Sequence, residues 1–275
     1  MTYDDLFAIS MPTIQGKSFM KSLSPPNHQW LETADGSFTL FSEAFQEGCH
    51  SSSGAREETL LHYVQGCRVE EKIHFDHPLS ILEVGFGLGI GFLTTFDVLN
   101  PIDKPWSFLS LEIDQELLEW FRLENLHHPF LKDLKWIANR LECQNEKIHL
   151  TILCGDARKT LPGFVLETKC TWNAVYQDAF SPKKNPILWT KEWFEFLKAH
   201  SASDVCLSTY SASSTIRKSL LESDWVLHKG EKFGPKRTST RATLTGVSDP
   251  DILLHLERSP SLALRDDNIN SSLSK

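Results

Sequence analysis

The sequence predicts an α/β fold: a Rossmann-like, seven-stranded, mostly parallel sheet flanked by helices, preceded by a small N-terminal β-hairpin and helix. Three observations lead there. Short apolar runs alternate with helical stretches from about residue 79 onward. Most of those runs are apolar on both faces, as strands covered by helices on both sides must be. A glycine-rich turn, "GFGLG" at 85–89, follows the first of them.

Residues 1 to about 28 read as an irregular lead ending in Pro25-Pro26. In "WLETADGSFTLFSE" (30–43), Asp35-Gly36 between two β-prone runs signals a hairpin. In "CHSSSGAREETLLHYVQG" (49–66), three serines offer an N-cap, Glu57 and Glu58 suit a first helical turn, and Gly66 suits a stop. Ile81, Leu82 and Val84 make the first strand of the main sheet. "WSFLSLEID" (106–114), "KIHLTILCGDA" (147–157), "TWNAVYQDAF" (171–180) and "SDVCLSTYS" (203–211) supply the next four, with helices at 115–126, 190–200 and 213–223. "WVLHKGEKFG" (225–234) and "TRATLTGV" (240–247) complete seven. The expected division is an N-terminal extension, 1–78, a main domain, 79–247, and a polar C-terminal tail, 248–275, ending in about a dozen disordered residues.

No run of about 18 apolar residues is present, so no membrane span is expected. Six cysteines form no CxxC and no zinc-site spacing, which fits reduced thiols in a cytoplasmic protein without a metal. The net charge of −8 argues against a nucleic-acid binder taken whole. Between Pro182 and Arg241, however, 11 basic residues face 6 acidic ones, a local +5 that leaves −13 for the rest. Such a patch can steer a polyanion despite an acidic total. Lys183, Lys184, Arg217, Lys236 and Arg237 are its candidate contacts.

The glycine turn is Gly85-x-Gly87-x-Gly89, with Phe86 inside it and Glu83 two residues ahead. The dinucleotide form would place glycine at 90, where Ile90 stands. The pattern therefore suits S-adenosylmethionine better than NAD. Glu112 ends the second strand, where a carboxylate can accept both ribose hydroxyls. Asp156 follows the third, placed to meet an adenine amino group or to cap the next helix. Asp178 follows the fourth. Acids thus recur at the C-terminal edge of four successive strands, where open α/β sheets bind ligands. Asp178 can hydrogen-bond an acceptor amine, orient its lone pair and help remove its proton, with Phe180 walling the pocket or stacking on a base. His127-His128, His62 and the pair Trp189 and Trp193 read as structural.

Four segments together give a resemblance: "DGSFTLFSEAFQEGCHSSSGAREE" before the fold, "GFGLGIGFL" as the turn, "DAFSPKKNPILWT" after the fourth strand and "FGPKRTSTRAT" near the end. They resemble the methyltransferase family that finishes 5-methylaminomethyl-2-thiouridine at the tRNA wobble position (the MnmC N-terminal domain, or its stand-alone MnmD form). The resemblance implies a class I S-adenosylmethionine-dependent methyltransferase fold and N-methylation of 5-aminomethyl-2-thiouridine. It implies that Gly85, Gly87 and Glu112 hold the cofactor and that Asp178 faces the amine. The segment from Phe233 to Arg237 would lie toward the tRNA, and a separate upstream enzyme would supply the aminomethyl group. Bifunctional members usually have Thr and Asn where this chain has Leu88 and Gly91, so any side-chain contact from those places to the methionine end of the cofactor is lost and backbone N–H groups must serve. The residues themselves leave two other readings: transfer of a methyl or aminopropyl group to a free small amine, or an inactive tRNA- or cofactor-binding module.

Overall fold

The computed structural model describes residues 24–32, 38–49, 54–233 and 238–269. A small sheet comes first: β1 (His28–Glu32), β2 (Phe38–Ser42) and β3 (Glu47–Gly48), all antiparallel. β1 and β2 pair in the register of a hairpin, Glu32 opposite Phe38. The expected Asp35-Gly36 turn lies outside the described residues, as do the three serines. Helix α1 (Ala55–Thr59) runs into a π-helical turn over Leu60–Gln65, and Arg68 adopts left-handed backbone before the short α2 (Val69–Lys72). The helical segment stops where expected, with Gly66 capping the π-helical turn after Gln65. A Cβ on Gly66 would sit 1.9 Å from the His62 carbonyl oxygen, so only glycine fits there.

The main sheet follows: β4 (Leu79–Val84), α3 (Ile90–Leu99), β5 (Trp106–Glu112), α4 (Gln115–Glu124), β6 (Lys135–Ile137), β7 (Arg140–Gln144), β8 (Ile148–Cys154), α5 (Ala157–Thr168), β9 (Trp172–Gln177), α6 (Lys191–Ala199), β10 (Ser201–Thr209), α7 (Ser214–Glu222), β11 (Val226–Lys229) and β12 (Thr240–Thr243). Among the described residues it has nine strands, in the order β11-β12-β10-β9-β4-β5-β8-β7-β6. β10, β9, β4, β5 and β8 are mutually parallel, while β12 and the β6–β7 hairpin are antiparallel to their inner neighbours. The expected seven strands are all present. The two extra ones are β6 and β7, joined across Ala138-Asn139 with Ala138 at φ 53°. Left-handed backbone at an alanine carries no turn signal of the Asn-Gly kind, which is why the sequence reading passed over this hairpin.

Side chains alternate across the sheet into two cores. Ile81, Phe92, Phe108, Phe121 and Tyr176 fill one layer. Leu82, Leu111, Val175, Trp189, Trp193 and Trp225 fill the other. Trp189 and Trp193 are fully buried, as packed residues.

The 248–275 segment corrects the expectation of a polar tail as far as residue 269. Helix α8 (Pro250–Arg258) starts at Asp249, whose side chain accepts from Asp251 and Ile252 N–H, and buries Ile252 and Leu256. Leu264 is fully buried, and its carbonyl accepts from Lys191 N–H at 2.8 Å. Two of the charged residues there are paired: Arg265 with Glu222, and Asp266 with Arg158. Average polarity hid a stripe of buried apolar side chains.

Candidate active site

Strand order reverses at β4, with β5 on one side and β9 on the other. A crevice opens beyond the strand ends at such a point. The chain closes its floor by backbone bonds: Asp178 N–H donates to Val84 O at 3.0 Å, and Gly85 and Phe86 N–H donate to Leu111 O. Gly85 has φ 100°, and a Cβ there would lie 2.7 Å from the Asp178 carbonyl oxygen. Glycine is thus required for β4 and β9 to end side by side. A cavity of about 660 Å³ lies over this floor, a size suited to a small-molecule ligand.

Glu112 lines the cavity at the end of β5. Its Oε2 accepts from Gly87 N–H at 2.9 Å, and its Oε1 from Ile113 and Asp114 N–H at 2.8 and 3.0 Å. Burial pushes its carboxyl above the usual range, and those three backbone donors pull against the shift. Asp156 also lines the cavity, but one oxygen caps α5 by accepting from Arg158 N–H at 3.0 Å. The capping role is therefore filled, and its second oxygen is 3.2 Å from Lys159 Nζ.

Glu83 and Gly89 do not line the cavity; they support it. Glu83 is buried under the first turn of α3 and accepts from Ser110 Oγ at 2.6 Å. Burial holds its carboxyl well above the usual range. A Cβ at Gly91 would lie 1.6 Å from Glu83 Oε1, so the glycine at 91 makes room for that buried acid. Gly89 starts α3 at φ 72° and lets the Phe121 and Phe86 rings close over it, since a Cβ there would meet Phe121 at 2.5 Å. Phe86 packs edge-on against Phe121 and borders the cavity.

Asp178 borders the cavity just after β9. Tyr63, from the π-helical turn, donates its hydroxyl to Asp178 Oδ1 at 2.5 Å. Phe180 stacks on Phe45 of the small sheet, centroids 4.5 Å apart and planes 19° apart. Glu47 of β3 accepts from Ser181 N–H at 2.8 Å, and Trp189 Nε1–H donates to the Phe180 carbonyl at 2.8 Å. These bonds fix the loop after β9. Sequence reasoning missed Phe45, Glu47, Glu58 and Tyr63, because they converge only when the N-terminal elements dock on the sheet.

The cavity wall carries six carboxylates, Glu47, Glu58, Glu112, Asp114, Asp156 and Asp178, and no lysine or arginine among its described residues. The Cys49 thiol reports that field: burial first, then Glu112 and Asp178, push it far up. The wall thus favours cations. Gly85 and Gly87 leave its floor free of side chains, and Glu112 is held by backbone donors at the crevice edge. This set fits a sulfonium cofactor carrying a ribose.

The basic stretch is mostly committed elsewhere. Lys191 pairs with Glu195, Lys198 with Asp224, Lys229 with Asp249 and Asp251, and Arg241 with Glu231. Arg217 corrects the expectation of a phosphate contact: it is 6% exposed and donates to Thr240 Oγ1 and the Ser239 carbonyl at 2.9 and 3.0 Å. Burial lowers its pKa. Arg217→Ala is expected to cost about 1–3 kcal/mol of stability, the range for stranding buried partners, measured by denaturant unfolding. Lys183 and Lys184 are exposed on the loop after β9. Lys236 and Arg237 lie outside the described residues. Of the segment from Phe233 to Arg237, only Phe233 is described, edge-on to the buried His62 ring at 6.0 Å. His128 Nδ1 accepts from Phe130 and Leu131 N–H. Among the described residues, no His, Cys, Asp and Glu side chains gather as metal ligands, and no helix is long and apolar enough to cross a membrane.

A family model described as S-adenosyl-L-methionine-dependent methyltransferase matches residues 122–245. The crystal structure of MnmC2 from Aquifex aeolicus superposes with a TM-score of 0.71 at 28% identity, covering 92% of this chain and 84% of that one. The tRNA 5-methylaminomethyl-2-thiouridine biosynthesis bifunctional protein MnmC of Aromatoleum aromaticum is 30% identical over 76% of this chain. The Leptospira interrogans protein of that name is 30% identical over 74%. The aligned part is 34% of each bifunctional relative, so the chain matches about a third of their length. MJ0670 of Methanocaldococcus jannaschii is 26% identical over 78% of this chain and 59% of its own length.

Proposed function

The chain belongs to the family of MnmC methyltransferase domains and is an S-adenosylmethionine-dependent methyltransferase, and from that premise we propose that it methylates the amine of 5-aminomethyl-2-thiouridine at the wobble position of tRNA. The observation that carries the proposal is the charge of the cavity. Six carboxylates, with no lysine or arginine among the described lining residues, repel phosphate and attract a protonated aminomethyl group. The names of the bifunctional relatives support the same nucleoside. An activity acting earlier on the same tRNA supplies the aminomethyl group.

The bound cofactor supplies an electrophilic methyl group. Glu112, held by Gly87, Ile113 and Asp114 N–H, is placed to accept from the ribose hydroxyls. Gly85, Phe86 and Gly87 form the floor beneath it, and Asp156, which also lines the cavity, would meet the adenine with whatever accepting capacity its capping bond leaves. Asp178 orients the acceptor nitrogen and takes its proton, so that a lone pair faces the donor. Phe180 and Phe45 wall the acceptor side and exclude water. Phosphates meet the protein outside the cavity, at Lys183 and Lys184.

Charge reversal at Lys183 and Lys184 is expected to raise KM for tRNA several-fold and to reduce the salt slope of binding by about 1–2; titration at several salt concentrations reads both. To test the nucleoside, labelled S-adenosylmethionine is incubated with tRNA bearing the aminomethyl group and with the same tRNA N-acetylated. Label is expected only in the former. Equal labelling of both overturns the assignment to the amine.

A further inference from the structure

The Tyr63 hydroxyl is committed to Asp178, and the chain goes to some length to bring it there. Tyr63 is 2% exposed and its ring stacks on Tyr176 of β9, centroids 5.4 Å apart. Tyr176 is fixed in turn by Thr95 Oγ1 of α3, 3.2 Å from its hydroxyl. The segment that carries Tyr63 winds as a π-helix, a form that is rare and concentrated at functional sites. Ser208 of β10 donates its hydroxyl to the His62 carbonyl, and Gly66 packs against that same carbonyl. The turn is thus pinned to the sheet before residue 63 by Ser208, and after it by Cys206 of β10, whose Sγ lies 3.4 Å from the Gly66 carbonyl oxygen.

The surroundings show what the hydroxyl does. Among the described residues, Glu47 and Cys49 from the small sheet, Glu58 from α1, Glu83 from β4, Glu112 from β5 and Tyr210 after β10 stand around Asp178. Each of these is neutral or negative. Every one that ionises opposes negative charge at residue 178. A hydrogen bond donated to a carboxylate favours its ionised form, and the Tyr63 hydroxyl donates one. Burial together with Asp178 keeps the phenol itself protonated, well above its ordinary range, so it remains a donor.

We propose that Tyr63 is a positioning residue for methyl transfer: by its hydrogen bond to Asp178 Oδ1 it fixes the rotamer of that carboxylate and holds it ionised, ready to receive the proton of the acceptor ammonium. This rests on the reading of Asp178 as the group facing the amine. It also gives the N-terminal extension a part in the chemistry, since the extension supplies the side chain.

Tyr63→Phe removes one oxygen and keeps the ring in its stack. The expected result is a kcat lower by about tenfold or more, the scale of a hydrogen bond to a charged group, with cofactor affinity unchanged. Without the donor, the carboxylate protonates more readily, so the acid limb of the pH–rate profile is expected to move to higher pH. In an Asp178→Asn background the same change is expected to add nothing. A structural role alone would lower the melting temperature and leave the pH profile in place. Carboxyl carbon NMR of Asp178, titrated in wild type and in Tyr63→Phe without substrate, reads the same coupling independently of turnover. An unmoved pH profile together with superposable titrations overturns the proposal. Wild-type protein inert toward aminomethyl tRNA would instead overturn the functional reading, a distinct outcome.

Discussion

Asp178→Ala is expected to lower methylation by a factor on the order of 10² or more, while cofactor affinity stays within about twofold of wild type, since the ribose and adenine contacts lie on other strands. The reasoning starts from the backbone. The N–H of residue 178 bonds to Val84 O whatever the side chain, so the β4–β9 crevice keeps its shape. What disappears is the acceptor opposite Tyr63 and the group that faces the amine. Stranding the buried Tyr63 hydroxyl costs about 1–3 kcal/mol of stability, small enough to leave folded enzyme. Initial rates at saturating cofactor, with calorimetric titration of the cofactor alongside, separate the two effects. Turnover near the wild-type value would remove Asp178 from the chemistry.

Glu112→Ala is expected to weaken cofactor binding by about 1.5–3 kcal/mol, the scale of hydrogen bonds to a charged group, or roughly ten- to 150-fold in Kd. Two losses combine. The carboxylate that would take the ribose hydroxyls is gone, and Gly87, Ile113 and Asp114 N–H lose the acceptor that ties the glycine turn to the end of β5. Glu112→Gln separates them, because an amide keeps the shape and part of the accepting capacity. Calorimetry showing equal Kd for wild type and Glu112→Ala would contradict the ribose assignment.

How much of this could be read in the chain differs from residue to residue. The turn at 85–89 and the acids at 112, 156 and 178 were legible because strand and helix periodicities place them at strand ends, and strand ends in such sheets converge. Their division of labour was not. Gly85 and Gly87 open the floor, whereas Gly89 makes room for the Phe121 ring. Glu83 belongs to the layer under α3, which only the Gly91 contact reveals. A buried arginine such as Arg217 looks in sequence like any surface cation, because its partners, Thr240 and the Ser239 carbonyl, come from a strand more than 20 positions away. The segment after 248 did carry a start signal, Asp249-Pro250, followed by Ile252 and Leu256 at helical spacing. Its average polarity outweighed that signal. Tyr63 reaches Asp178 across 115 residues of chain, and no local pattern encodes that meeting.

The most direct test of the central claim, that the cavity presents an aminomethyl nitrogen of a tRNA base to Asp178, is nucleoside mass spectrometry. Transfer RNA bearing 5-aminomethyl-2-thiouridine is incubated with the protein and S-adenosylmethionine, then digested. The account predicts that 5-aminomethyl-2-thiouridine is consumed and 5-methylaminomethyl-2-thiouridine appears in equal amount, with Asp178→Ala leaving the starting nucleoside in place. An unchanged nucleoside profile with active, cofactor-binding wild-type protein, or a methyl group found on any other atom, would contradict it.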